Sequence, residues 1–341
     1  MRYVVIGSGR YASNTLKNWV GLLVGRKPRV DERMLFFRQY VLHAIGLRRI
    51  RGVTCAEHSD GEGAGFQAHM MMNAINFARA SGLTYVHTPF RFVGHADRPM
   101  EQWAAAWEHL FNLGAGEVAW DGKRRDVVNY SYVANDLEAC FGWGGRLEEL
   151  TQHFKGMIPE FRRKYYGKKS PRRTDEVRVA VHVRRGDVPA LNEELFTSTA
   201  SVAGTVAAVK TALDRRGIDC SIAVYSQGLA ADFAELTALG AGLFLDADAI
   251  WTMQELIEAD VLVMAKSSFS YCAGFLSDGI KLFEPEPIQG AKKEYMASWG
   301  WTVLFPSDDW IARSEDGAFD QAAFERQLAL QLGSRSKLWR D

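Results

Sequence analysis

Residues 177–187 read Val-Arg-Val-Ala-Val-His-Val-Arg-Arg-Gly-Asp, a Val-rich strand at 177–183 that runs straight into two arginines and a turn. Side chains alternate across a strand. His182 and Arg184 therefore share one face and Arg185 takes the other, so the two arginines have different tasks. Downstream come a helix at 201–216, a strand at 220–225, a helix at 230–239, a strand at 242–245, a helix at 252–259, a strand at 261–265 and a helix opening near Ser270. These strands are short, rich in Val, Ile and Leu, and do not alternate with polar residues. That is the pattern of a parallel sheet covered on both faces, which predicts a doubly wound α/β domain.

Upstream, the basic and turn-prone run YGKKSPRRTD at 166–175 reads as a linker. Before it the chain again alternates: strands at 3–6, 52–56 and 84–87, a helical stretch after Asp31, a glycine-rich turn at 61–65, and helices at 66–81 and 100–113. A length of 341 residues suits two domains better than one. The expected division is an acceptor-side α/β domain at 1–170, a nucleotide-sugar-binding α/β domain at 171–320, and a final helix in 321–341 crossing back to brace the first.

Lys plus Arg and Asp plus Glu both number 41, so no global positive charge is present to hold nucleic acid or an anionic membrane. Any basic site is local. The four cysteines, Cys55, Cys140, Cys220 and Cys272, show no metal-ligand spacing and are expected to be reduced thiols. The N-terminal residues do not read as a signal peptide, and the apolar stretch 19–24 is far short of the roughly 20 residues a membrane span needs. The cytoplasm is the expected location, with peripheral membrane contact left open.

Ligands of open α/β sheets collect beyond the carboxyl ends of the strands, and three such places carry chemistry. At 182–187 a guanidinium on a strand end can clamp a diphosphate with paired hydrogen bonds; the other arginine can fix the turn through Asp187. An arginine ion-pair network without a ligand explains the same residue types. At 266–271, Lys-Ser-Ser-Phe-Ser-Tyr, hydroxyls and free amides at a helix start make an anion site, with Ser267 or Ser268 also suited to capping. At 60–67, Asp-Gly-Glu-Gly-Ala-Gly-Phe-Gln, the glycines let a backbone approach a ligand closely, and Glu62, Gln67 and His69 fall near the cleft edge.

This last segment lacks the lysine and hydroxyl of a P-loop, and Gly7-Ser8-Gly9 lacks the third glycine of a dinucleotide fingerprint. Asp246-Ala247-Asp248 has metal-aspartate spacing without a third acidic ligand, so a helix N-cap is the expected role. His87 and His95 read as loop or core residues. Trp103, Trp107, Trp120 and Trp143 offer sugar-stacking faces but read mainly as core.

Together these segments resemble the fucosyltransferase superfamily of α1,2-, α1,6- and protein O-fucosyltransferases. HVRRGD at 182–187 is similar to its HxRR motif, 259–271 to its phosphate-contacting serine segment, and GEGAGFQ at 61–67 to its glycine-rich first motif. The resemblance implies a GT-B fold, two Rossmann-like doubly wound domains facing across a cleft, and an inverting, metal-independent transfer from a GDP-sugar, GDP-fucose above all. It places Arg184 on the diphosphate and His182 on the guanosine side. Arg185, Asp187, Ser267, Ser268, Phe269, Gly63, Gly65 and Gln67 join the donor site, and Glu62 is the base, with Glu193 a second candidate. Where α1,6-type enzymes carry a guanine-reading aspartate this chain has Thr252, so Asp246 or Asp248 is left to substitute. No cofactor or metal is expected. The implied acceptor is a polysaccharide, glycolipid or oligosaccharide hydroxyl. Another nucleotide-sugar donor, or a non-catalytic glycan- or nucleotide-binding protein on the same scaffold, remains open.

Overall fold

The computed structural model describes residues 40–47, 49–56, 62–122, 126–131, 134–143, 146–172, 174–186, 195–285 and 308–338. The expected strand at 3–6, the helical stretch after Asp31, the Gly7–Gly9 turn, Asp60, Gly61, Asp187 and Glu193 lie outside the described residues.

The first lobe runs β1 (Gly52–Thr54), α1 (Ala64–Ala80), β2 (Thr84–His87), α2 (Met100–Phe111), β3 (Val118–Ala119), β4 (Val127–Asn129), α3 (Ala134–Cys140) and α4 (Leu147–Tyr166). Its four described strands are parallel, in the order β3-β2-β1-β4. The helix α1 has no polar stripe: from Ala64 to Ala78 all but Phe66 are buried, which places it inside the molecule rather than on its surface.

The second lobe runs β5 (Val177–His182), α5 (Thr199–Asp214), β6 (Cys220–Ser226), a 3-10 turn at Ala230–Phe233 leading into α6 (Ala234–Ala238), β7 (Gly242–Leu245), α7 (Ala249–Ile257), β8 (Val261–Val263), α8 (Ser268–Leu276), β9 (Ile280–Phe283), β10 (Trp310–Ala312) and α9 (Gln321–Leu338). The six strands are parallel in the order β10-β9-β8-β5-β6-β7. From β5 the chain winds outward to β7, returns to the other side of β5 and winds outward again, the doubly wound Rossmann-like order. Two such parallel α/β sheets are the architecture the sequence predicts.

Caps set the helix starts. The Ser198 hydroxyl accepts from Ser201 N at 3.1 Å at the head of α5, and Asp248 accepts from Trp251 N at 2.8 Å at the head of α7. The second cap starts α7 three residues before the expected 252.

The faces of β5 separate two cores. Val177, Val179, Val181 and Val183 pack with α5 and α6, while Ala180 faces the other way, into the core that fills the first lobe. That larger core is shared: Val53 and Phe77 of the first lobe belong to the same cluster as Tyr225, Leu262 and Phe283 of the second. The helix α4, which the sequence reading passed over, joins them. Its Phe154 and Phe161 sit in the shared core, and Arg162 donates from Nε to Phe275 O at 3.2 Å and pairs with Asp278 at 2.7 Å. The final helix has described contacts with the second lobe. Phe324 and Leu328 pack in the second lobe's own core, and Gln331 donates to Asp260 O at 3.2 Å.

None of the four cysteines is in a disulfide; Cys55 and Cys272 are buried and the others half-buried. No described helix is long and apolar enough to cross a membrane.

Candidate active site

The second sheet reverses its winding between β5 and β8, where a crevice opens at the carboxyl ends of the strands. There β5 delivers His182, Val183, Arg184 and Arg185, and β8 delivers Ser267 and Ser268; these residues line a cleft of about 470 Å³, closed on the opposite side by Gly63, Gly65, His95, Asp97 and Trp107 of the first lobe. The first sheet has its own reversal between β1 and β4, where side chains bridge the two strand ends. Asn129 accepts from Ala56 N at 3.1 Å and donates to Ala56 O at 2.7 Å, and Ser131 donates to the same carbonyl at 2.9 Å. The crevice of the second sheet has room for a ligand of nucleotide size.

Helix starts converge on this cleft. The first residues of α1, α7 and α8 all line it, each carrying unsatisfied amides and the positive end of a helix dipole. The starts of α1 and α8 touch: a Cβ at Gly65 would lie 2.7 Å from Phe269 Cα and 2.9 Å from Ser268 O. Glycine is the only residue that lets the two backbones meet there.

The two arginines after β5 divide as alternation requires. Arg184 turns to the lobe-facing side, lines the cleft and donates to Lys266 O at 3.4 Å. Arg185 is anchored toward the second core: it donates to Thr199 Oγ1 and to Arg184 O, both at 3.0 Å, and its guanidinium lies 4.6 Å from the Phe196 ring and 6.0 Å from Phe233. Burial lowers its pKa, with Asp232 opposing. Arg185 also touches the cleft wall, but its planar group is committed to structure. His182 shares a hydrogen bond between Nδ1 and Ser270 Oγ and stands 5.4 Å from the Phe269 ring.

Ser267 caps α8 by accepting from Phe269 N at 3.2 Å. Ser268 is half-buried in the cleft wall. Behind them lies a buried charge cluster in which Glu284 pairs with Lys266 at 2.6 Å and Arg313 at 3.0 Å and accepts from Thr197 at 3.1 Å. With two cations to one carboxylate, this cluster adds positive potential beneath the start of α8.

The acidic segment 246–248 divides as well. Asp246 lines the cleft with φ 52°, and Thr252 lines it from α7. Asp248 does not line it. Its carboxylate caps α7 and pairs with Arg98 of the first lobe, a contact across the cleft mouth. Desolvation opposes ionisation of Asp248, but its bonds to Trp251 N and Arg98 outweigh it and lower the pKa.

In the first lobe Gly63 and Gly65 line the cleft as expected. Gln67 does not: it is 1% exposed and its amide donates to Glu62 O at 2.9 Å and Phe92 O at 2.7 Å, tying the glycine turn to the loop after β2. His69 is buried away from the cleft against Phe154 and Phe275, at 6.3 and 5.2 Å between ring centres. Glu62 adjoins Gly63, yet its side chain is not among those lining the cleft. Burial raises the Cys55 thiol and the Glu62 carboxylate adds to that rise, which puts the carboxylate on the Cys55 side of the turn.

Several cleft residues escaped the sequence reading, Asp97 among them. Tyr225 and Ser226 end β6 and Gln227 follows it, a place to which the strand-end rule points. His95 has no such signal. It sits in a loop with φ 60°, and Asp246 is the other described non-glycine cleft residue at positive φ. Each such conformation costs roughly 1–2 kcal/mol. Trp103 and Trp107 are core, as expected, each 1% exposed, and pack edge to face at 5.3 Å. Their edges nevertheless form part of the cleft wall, and Trp107 Nε1 is buried without a hydrogen-bond partner among the described residues. A buried donor of that kind is rare.

No family model and no curated protein matches the chain. Among solved structures, the chain is similar to the fucosyltransferase NodZ from Bradyrhizobium at 12% identity, covering 67% of this chain and 94% of that one, with a TM-score of 0.35. It is similar to POFUT1 in complex with GDP-fucose at 12% identity, covering 68% and 95%, with a TM-score of 0.34. The NodZ α-1,6-fucosyltransferase co-crystallized with GDP gives 12% identity, 67% and 93% coverage and a TM-score of 0.31. At that distance the description of the fold rests on this chain's own strand order.

Proposed function

We propose that this protein is a glycosyltransferase that takes its sugar from a nucleoside diphosphate, with GDP-fucose the donor that the 182–187 motif suggests. The observation that carries the reading is the pairing of Arg184 with the start of α8 in the crevice at the second sheet's strand reversal. A departing diphosphate needs its growing negative charge met by fixed donors. Arg184 supplies a charged, bidentate group, Ser268 a hydroxyl, and the touching starts of α1 and α8 a set of oriented amides. With that much positive potential the transfer needs no metal ion. The base end of the donor lies against Tyr225, Gln227, Asp246 and Thr252, so Asp246, not the capping Asp248, is the carboxylate for guanine. The acceptor hydroxyl enters from the first lobe and attacks the anomeric carbon opposite the leaving phosphate, with inversion.

Calorimetry with GDP, UDP and ADP tests the donor class, since only the matching base binds well. Arg184→Ala is expected to lose about 2–4 kcal/mol of transition-state stabilisation, roughly 30- to 1000-fold in kcat/KM. Near-normal turnover in that variant sinks the assignment. One observation favours a second reading, a nucleotide- or glycan-binding protein without turnover: the Glu62 carboxylate, which the resemblance implies as base, is absent from the cleft wall. GDP binding with no cleavage of GDP-fucose decides for that reading.

A further inference from the structure

The loop after β2 is held in place on several sides. Gly94 N donates to Glu62 O at 2.9 Å, Trp103 Nε1 donates to Gly94 O at 3.4 Å, and Gln67 Nε2 donates to Phe92 O at 2.7 Å. These bonds hold His95 at φ 60° with its ring over the start of α1, where Cδ2 would lie 3.8 Å from a Cβ on Gly63. Gly63 is two residues from Gly65, and Gly65 abuts Ser268 and Phe269 of α8. A continuous run of contacts therefore leads from the anion-binding end of the cleft to this imidazole. Among the described residues of the first lobe, the titratable groups that line the cleft are His95 and Asp97. The Asp97 carboxylate is engaged by the Arg98 guanidinium at 2.6 and 3.1 Å. Across the cleft stand His182 and Arg184, of which Arg184 cannot accept a proton and His182 has one ring nitrogen on Ser270.

We infer that His95 is the general base of the transfer, accepting the proton of the attacking hydroxyl on the acceptor side of the cleft. The inference rests on the glycosyltransferase reading and adds to it a base that neither the motif resemblance nor any comparison assigns. In the step, a lone pair of the acceptor oxygen forms the new bond to the anomeric carbon. The bond from that carbon to the β-phosphate oxygen breaks with its electron pair passing to the diphosphate, which Arg184 and the start of α8 hold. The acceptor proton moves to a ring nitrogen of His95 and from there to solvent. A backbone held in an unfavourable conformation to aim one side chain into a cleft is the pattern of a functional residue, and imidazole is the side chain best suited to exchange protons near neutral pH.

The test uses cleavage of GDP-fucose with water as acceptor, so that no glycan need be known. Asparagine and glycine both tolerate positive φ, so His95→Asn and His95→Gly keep the loop, which a thermal melt verifies. His95→Asn is expected to lower turnover about 100-fold or more while GDP affinity by calorimetry stays within about twofold. Added imidazole is expected to restore turnover to His95→Gly. Turnover of His95→Asn within a few-fold of wild type overturns the inference, as does a parallel loss of GDP affinity, which makes the ring a donor contact instead. Loss of turnover in Glu62→Gln with His95→Asn unaffected returns the role to Glu62. If the unaltered protein neither binds GDP nor cleaves GDP-fucose, the glycosyltransferase reading fails and this inference falls with it. If the unaltered protein does both and His95→Asn does too, the base alone is wrong.

Discussion

Replacing Gly65 by alanine tests the contact on which the cleft is built. The added Cβ falls 2.7 Å from Phe269 Cα, 2.8 Å from Phe269 N and 2.9 Å from Ser268 O. Carbon atoms in contact settle near 3.5 Å or beyond, so α1 and α8 must part by roughly 0.8 Å. All three neighbours are backbone atoms, and no side chain can swing aside to relieve them. Overpacking of this kind costs about 1–3 kcal/mol, offset by up to about 1 kcal/mol from the better helix propensity of alanine. The net loss of about 1–2 kcal/mol lowers the Tm of a chain of 341 residues by about 1.5–3 °C, measured by scanning calorimetry. The parted helix starts also hold a diphosphate less well, and GDP affinity by titration calorimetry is expected to fall about tenfold, or about 1.4 kcal/mol. Gly63→Ala is the control, because its nearest non-neighbouring atom is His95 Cδ2 at 3.8 Å; its cost stays under about 1 kcal/mol. A Gly65→Ala protein that melts at or above the wild-type temperature and binds GDP unchanged refutes both the close helix contact and its place in the site.

Asp248 carries two separable interactions. Asp248→Ala removes the α7 cap and the Arg98 pair and is expected to cost about 1 kcal/mol in denaturant unfolding, whereas Asp248→Asn retains the cap and loses little. Equal losses in the two variants contradict the capping role. Burial holds the pKa of His69 at about 4, below the roughly 6.5 of an unfolded-chain histidine. Between those values the unfolded state binds more protons, so stability rises with pH and is lost on acidification, by about 3 kcal/mol from pH 6.5 to pH 4. His69→Leu is expected to flatten the unfolding free energy by that amount across the window; an unchanged slope shows that His69 is not buried neutral.

The sequence alone determined the parallel α/β character of the chain. The stretch 177–265 carries short apolar strands separated by helical runs, and the alternation of residues around β5 correctly split Arg184 from Arg185, because the two-residue period of a strand is a local property. Capping at Asp248 was legible for the same reason. What lay beyond the sequence depended on contacts between distant segments. The helix α4 contains Pro159, a residue that ordinarily reads as a break, and packing against α1 and α8 holds it together. The short strands β3, β4, β9 and β10 have too few residues for a period to show, and pairing with neighbours defines them. Glu62, Gln67 and His69 share one glycine-rich segment, yet the winding of α1 sends His69 into the core, the loop after β2 engages the Gln67 amide, and the Glu62 carboxylate lies toward Cys55. His95 read as a loop or core histidine, and only the tertiary structure set it in the cleft, because its place depends on the hydrogen bonds of neighbouring Gly94 with Glu62 and Trp103 and on the approach of two helix starts that glycine at position 65 permits.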